Sequence, residues 1–151
     1  MRAMVAGVGN VFLGDDGFGV EAVRRLAASP LPEGVTAGDY GIRGVHLAYE
    51  LLNGYDLLIL IDAVQRGGEP GTVYVIDPGA PTGEPAPMDA HDLNPESVLA
   101  SLQSLGGSVP RVLVVGCEPA DVSEGMGLSE PVARALDDTV RTVRELLEEA
   151  W

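Results

Sequence analysis

Two adjacent carboxylates, Asp15 and Asp16, close a glycine-rich segment that runs Gly7-Val8-Gly9-Asn10-Val11-Phe12-Leu13-Gly14-Asp15-Asp16-Gly17-Phe18-Gly19. A third, Asp62, ends the apolar run Leu57-Leu58-Ile59-Leu60-Ile61. A histidine, His91, precedes Asp92-Leu93-Asn94. Two acids and an imidazole make a partial shell for a borderline divalent ion such as nickel or zinc. Three protein ligands would leave positions open for water or substrate. A pair of acids could equally activate water, provided their surroundings split their pKa values. The residue types alone leave both chemistries open. Taken singly, Asp15 and Asp16 each read better as a helix cap, because an acid at a helix N-terminus is favourable by itself. Asp62 reads less easily that way. The following Val64-Gln65-Arg66-Gly67-Gly68 does not look like a helix start, and an acid at the mouth of an apolar strand must find solvent or a ligand.

Other chemistries fit poorly. The segment from Gly7 has the outline of a dinucleotide-binding loop, but Phe12 stands where the third glycine belongs. Asp15 and Asp16 would also repel a diphosphate at the helix start. There is no Gly-x-Ser-x-Gly elbow and no phosphate-binding Gly-x-x-x-x-Gly-Lys loop. The single cysteine, Cys117, excludes an internal disulfide and a four-cysteine zinc site, and reads as a small buried residue rather than a nucleophile. The chain has 2 histidines, so one chain cannot build a multi-histidine site. The second, His46, falls inside a predicted helix and reads as structural.

These residues must be positioned by the elements around them. Met1–Val8 is an apolar run, read as a buried strand, and Gly17–Ala28 has helical spacing through Val20, Val23, Leu26 and Ala27. Val35–Tyr40 reads as a second strand. Gly44–Asn53 reads as a helix with Val45, Ala48, Leu51 and Leu52 inward, closed by Asn53-Gly54. Asp56–Ile61 is the clearest buried strand, and Gly71–Asp77 alternates as a fourth. Pro78–Ala90 is a Pro- and Gly-rich loop. Asn94 and Pro95 then signal the start of a helix that buries Val98, Leu99, Leu102 and Leu105. Arg111–Val115 is a fifth strand. Ser129 is the expected cap of a last helix with Val132, Leu136, Val140, Val143, Leu146 and Leu147 on one face. Strands alternating with helices predict an α/β fold: a single-domain three-layer sandwich, its mostly parallel five-stranded sheet flanked by helices on both faces. Ligands of such sheets sit beyond the carboxyl ends of the strands, which is where Asp16 and Asp62 fall.

Composition narrows the class further. The 151 residues suit one domain. The 9 Lys and Arg against 23 Asp and Glu give a net charge of −14, which repels phosphate backbones and argues against nucleic-acid binding. It would suit a basic partner or a divalent cation. No apolar run approaches the ~20 residues of a membrane span, and the N-terminus reads as a strand rather than a signal peptide. A cytoplasmic location is therefore expected.

Together these segments resemble the hydrogenase maturation endopeptidases. The resemblance rests on Gly7-Val8-Gly9-Asn10 followed by Asp15-Asp16-Gly17-Phe18-Gly19, on Gly41-Ile42-Arg43-Gly44, and on Asp56 to Val64 with Asp62 at its heart. It continues through His91-Asp92-Leu93 and Gly116-Cys117-Glu118-Pro119. It implies an endopeptidase that removes the C-terminal extension of a nickel–iron hydrogenase large-subunit precursor after nickel insertion. The implied metal-engaging residues are Asp16, Asp62 and His91, with Asp16 and Asp62 catalytic. The implied metal is nickel supplied by the precursor, for which other divalent cations can substitute. The family often has Glu at the first of these positions; Asp16 sets the oxygen back by one methylene. Asn10, Asp15 and Arg43 are candidate substrate-binding residues. The competing readings are a related protease acting on a different precursor, a non-enzymatic metal-binding or chaperone module, and a nucleotide-binding domain.

Overall fold

The computed structural model describes residues 1–77 and 95–150. The predicted loop at 78–90, His91 and the Asn94 cap lie outside the described residues. The elements run β1 (Ala3–Val8), a 3-10 turn (Gly14–Gly17), α1 (Phe18–Ala27), β2 (Val35–Gly41), α2 (Gly44–Leu51) and β3 (Leu57–Ala63). They continue as β4 (Val73–Ile76), α3 (Pro95–Ser104), β5 (Arg111–Cys117) and α4 (Glu130–Ala150). The sheet order is β2-β1-β3-β5-β4. Neighbouring strands are parallel except β4, which joins the edge antiparallel to β5.

Strand alternation divides the core into two halves. Ala3, Val5, Leu57, Ile59, Ile61, Leu113 and Val115 pack against α1 and α4. Met4, Ala6, Val8, Leu58, Leu60, Val112 and Val114 pack beside residues of α2 and α3 on the other face. β1 and β3 are apolar almost throughout because both of their faces are covered. This is the predicted three-layer sandwich with its mostly parallel five-stranded sheet.

Four details of the predicted packing are corrected. In α2, Val45 and Leu52 are exposed, while Leu47, Ala48 and Leu51 face the sheet. The helix has only two turns, and its buried stripe is rotated from the one that Val45 suggested. In α1, Ala22 is buried and Ala27 is exposed, since the stripe follows Phe18, Ala22 and Val23. Leu105 lies beyond the end of α3 and is partly exposed. His46 lies in α2 as predicted but is exposed, so it has no core role.

The closest approach in the core is between α1 and the ends of two strands. A Cβ added to Gly19 would stand 2.0 Å from the carbonyl oxygen of Ile61 and 2.4 Å from that of Val8. Both obstacles are backbone in paired strands, so neither can turn aside. Gly19→Ala should therefore destabilise the fold by about 3 kcal/mol or more. Urea unfolding should show this as a lowered midpoint at unchanged slope. An unchanged midpoint would mean that α1 can lift away from the sheet at little cost.

Candidate functional site

The sheet order sets the place of the site. From β1 the chain passes through α1 on one face; from β3 it moves to the opposite side of the sheet, and α3 lies on the other face. The carboxyl ends of β1 and β3 therefore flank a topological switch point, where open α/β sheets leave a crevice. Asp16 follows β1 and Asp62 lies in the last turn of pairing of β3, opposite Gly116. Gly9 sits between them. It has φ 129°, a conformation that L side chains rarely adopt. A Cβ placed on it would be 1.9 Å from the Asp16 carbonyl oxygen and 3.5 Å from Asp62 Oδ1. The backbone of Asp16 and the carboxylate of Asp62 thus both border Gly9, with the glycine as the spacer.

Asp16 is half-buried, and its Oδ2 accepts the N–H of Asn10 at 2.8 Å. Asn10 in turn accepts the Phe12 N–H on Oδ1 at 2.9 Å. Asn10 thus shapes the turn that carries Asp16. The α1 N-terminus has no side-chain cap, so neither Asp15 nor Asp16 performs the capping that either residue alone suggested. Asp62 is also half-buried and continues the Leu58 and Leu60 face of β3. Its Oδ1 accepts the following N–H, that of Ala63, at 2.8 Å.

Asp15 is a different kind of acid. It is fully buried, 0% exposed, and its carboxylate accepts four hydrogen bonds from one distant segment. Ala120 N, Asp121 N and Ser129 Oγ donate to Oδ2 at 2.8, 3.0 and 2.8 Å, and Ser129 N donates to Oδ1 at 2.7 Å. Burial alone would raise its pKa; these donors outweigh burial and hold it below the ordinary 3.8. No exposed oxygen remains for a substrate, so the substrate-binding role expected of Asp15 is replaced by a structural one. Ser129 stands at the head of α4 as expected, its carbonyl accepting the Ala133 N–H at 2.9 Å, while its hydroxyl donates to Asp15.

Sequence reasoning gave no structural role to a second buried acid. Glu118 is 5% exposed, and its Oε1 accepts Arg66 N, Gly68 N and Tyr74 Oη at 2.9, 2.8 and 2.9 Å. Burial raises its pKa and the hydrogen bonds more than reverse this, leaving it lowered. Glu118 fastens the segment that follows Asp62 to the end of β5. Only its place after an apolar strand hinted at such a role. Cys117 is wholly buried, and burial with the nearby Asp15 and Glu118 charges pushes its thiol up to about 12. It is no nucleophile. Arg43 is exposed after β2, with its guanidinium donating to the Asp39 and Tyr40 carbonyls at 2.6 and 3.3 Å. Its turn reaches the site through the Gly9 N–H, which donates to the Gly41 carbonyl at 2.9 Å.

The open chemistry therefore reduces to two half-buried carboxylates, Asp16 and Asp62, beside a glycine in a conformation that other residues rarely adopt. They can accept a proton from water or offer oxygen ligands to a cation. Among the described residues, no group of three or more His, Cys, Asp or Glu side chains is placed to hold a metal. His91, the predicted third ligand, lies outside them. Also among the described residues, no helix is long and apolar enough to cross a membrane.

Known proteins share this fold and much of this sequence. The family model described as hydrogenase maturation protease matches residues 20–146. The chain is 34% identical over 155 aligned positions to the hydrogenase expression/formation protein HupD of Rhizobium leguminosarum bv. viciae, covering 99% of this chain and 75% of that protein. It is 31% identical to the hydrogenase 2 maturation protease of Escherichia coli K12, covering 99% of this chain and 93% of that one. Its fold is similar to the solved hydrogenase maturating endopeptidase HybD from E. coli, with a TM-score of 0.83, 31% identity and coverage of 99% and 94% of the two chains. The [NiFe] hydrogenase maturation protease HycI from Thermococcus kodakarensis gives a TM-score of 0.79 at 26% identity, with coverage of 97% and 92%.

The four-donor environment of Asp15 yields a stability prediction. Asp15→Asn keeps the shape but sets an NH₂ against N–H and O–H donors, and should cost about 3 kcal/mol. Folding lowers the Asp15 pKa, so its contribution is complete above the unfolded value of 3.8 and is lost as pH falls through the lower folded value. Stability measured by chemical denaturation should therefore fall below about pH 4 in the parent chain, and less steeply in Asp15→Asn. Equal slopes in the two proteins would remove Asp15 as the titrating anchor.

Proposed function

This chain belongs to the hydrogenase maturation protease family, and from that premise we propose that it removes a C-terminal extension from the large-subunit precursor of a nickel–iron hydrogenase once nickel has been inserted. The chain is a hydrolase; the precursor, the nickel and the residue roles are the proposal. One observation supports it: the Asp16 backbone and the Asp62 carboxylate both border Gly9 at the switch point of the sheet. Two carboxylates from different strand ends suit a cation carried in by the substrate. His91 is the proposed third donor. Other divalent cations could stand in for the nickel. The single free thiol of the chain suits the cytoplasm, where we place the reaction.

In this reading nickel belongs to the substrate. Asp16, Asp62 and His91 engage it and so hold the precursor with its scissile bond beside the crevice. Much of the specificity then comes from positioning, since a bond fixed against its attacking group reacts as if at very high local concentration. Water attacks the scissile carbonyl carbon while a carboxylate accepts its proton. The proton passes to the departing amine, leaving a new C-terminal carboxylate on the large subunit and a free peptide. Asn10 acts by shaping the turn that bears Asp16. Arg43, on the turn tied to Gly9, is the proposed contact for the precursor chain. A related protein, the coenzyme F420 hydrogenase subunit delta of Methanothermobacter thermautotrophicus, is 30% identical over 154 aligned positions, so the precursor tested should include more than one hydrogenase type.

The test follows loss of the extension by mass spectrometry, with precursors loaded with nickel and the same precursors without it. Cleavage is expected only in the loaded form. Asp62→Asn and Asp16→Asn should each lower kcat/KM by at least about a hundredfold. Native rates in Asp62→Asn would overturn the assignment of the acids. Equal cleavage of loaded and unloaded precursor would overturn the role of nickel.

A further inference from the structure

Beside the acids, and separate from them, lies a shallow depression of about 300 Å³. Its walls are Val11, Leu128 and Ala133, with Gly14, Gly17 and the carboxylate-bearing Glu21. Gly14 and Gly17 bracket the Asp15-Asp16 pair, whereas Asp62 does not line it. Phe12 and Met126 adjoin the lining residues Val11 and Gly127 in sequence, and they are 64% and 74% exposed. These are two of the three most exposed large apolar side chains among the described residues, the third being Ile42 on the turn after β2. Exposed apolar residues are ordinarily scattered; here they gather at the end of the sheet that carries the acids.

These side chains stand on tied backbone. The Phe12 N–H donates to Asn10 Oδ1 at 2.9 Å, and its carbonyl accepts the Gly125 N–H at 2.9 Å. The Gly14 N–H donates to the Gly125 carbonyl at 2.8 Å, so the turns bearing Phe12 and Met126 are joined to each other. A preorganised apolar surface loses little freedom when a partner covers it. Charge indicates the character of that partner. Among the described residues, Glu21 pairs only with Arg24, which also pairs with Asp39, at 3.6 and 3.1 Å, and the chain as a whole carries −14. An acid at the edge of an apolar depression suits an apolar side chain with a lysine or arginine next to it.

We propose that the Phe12–Met126 ridge and the depression behind it dock a folded segment of the precursor outside its scissile bond, one that presents an apolar side chain beside a basic one. This rests on the protease reading above. It adds a second point of attachment that does not depend on nickel. Docking here would hold the precursor against the same turn that carries Asp16.

Binding of labelled, nickel-free precursor to the intact chain tests this, because that form is not expected to be cut. Cleavage of the loaded precursor is followed in parallel. The double variant Phe12→Ser/Met126→Ser should bind at least about tenfold more weakly, as expected for the loss of central apolar anchors. Glu21→Lys should also bind more weakly and with a smaller dependence on salt. Val75→Ser, a half-exposed apolar position on edge strand β4, should bind as the parent does, and all variants should melt at the parent temperature. Equal affinity across the set would overturn the docking surface while leaving the protease reading intact. Cleavage of loaded precursor without any binding of the unloaded form would do the same, placing all recognition at the nickel and the scissile segment. A parent chain that neither binds nor cuts would remove the protease reading and this inference with it.

Discussion

The carboxyl end of this sheet is held together by a buried charge. Asp15 collects donors from residues 120, 121 and 129, more than a hundred positions further along the chain, and so closes the loop after β5 onto the loop after β1. A carboxylate without water is costly unless its lone pairs are filled, and here the filling groups are mostly backbone N–H groups with no freedom to leave. Glu118 repeats the device on the other flank, where it fixes the segment after Asp62. Four acids thus gather at one end of the molecule with two occupations. Asp15 and Glu118 are saturated and organise backbone; Asp16 and Asp62 are half-buried and face the crevice.

Glycine sets how tightly these parts come together. At Gly19 the first turn of α1 rests on the carbonyls of Val8 and Ile61, and at Gly9 the backbone threads between the Asp16 carbonyl and the Asp62 carboxylate. Any side chain at either place would spread the ends of β1 and β3 and separate the acids. The same residues that look like a failed nucleotide loop in the sequence therefore serve a different purpose. They bring the turn that bears Asp16 up to the Asp62 carboxylate where a phosphate-binding loop would offer bare N–H groups.

Much of this was legible beforehand, and the reasons differ by residue. β1 and β3 announced themselves because strands covered on both faces carry no polar interruption, and Asp62 stood out as the first break in such a run. Asp15 and Asp16 could not be told apart. They are neighbours of the same type, and what distinguishes them is a segment beginning at Ala120 that no local pattern connects to them. Ser129 stands before α4 as its place in the sequence suggested, but the bond its hydroxyl donates to Asp15 was hidden for the same reason. The stripe of α2 was misjudged because two turns contain too few residues to fix a phase. Glu118 was visible only as part of the Gly116-Cys117-Glu118-Pro119 block, since its donors lie on a loop without periodicity.

The reach of Asp15 also bears on the order in which this protein acquires its working form. Its donors lie in the last quarter of the chain, so a nascent polypeptide that has emerged only as far as β5 has the glycine-rich turn and both crevice acids, but nothing to neutralise the cost of burying Asp15. Until Ala120 to Ser129 arrive, that acid is better left in water, and the turn that carries Asp16 has no reason to settle. Contacts of such long sequence separation are also the slowest to close. In a hydrolase arranged in this way the turn that carries Asp16 is fixed only once residues 120 to 129 have joined it.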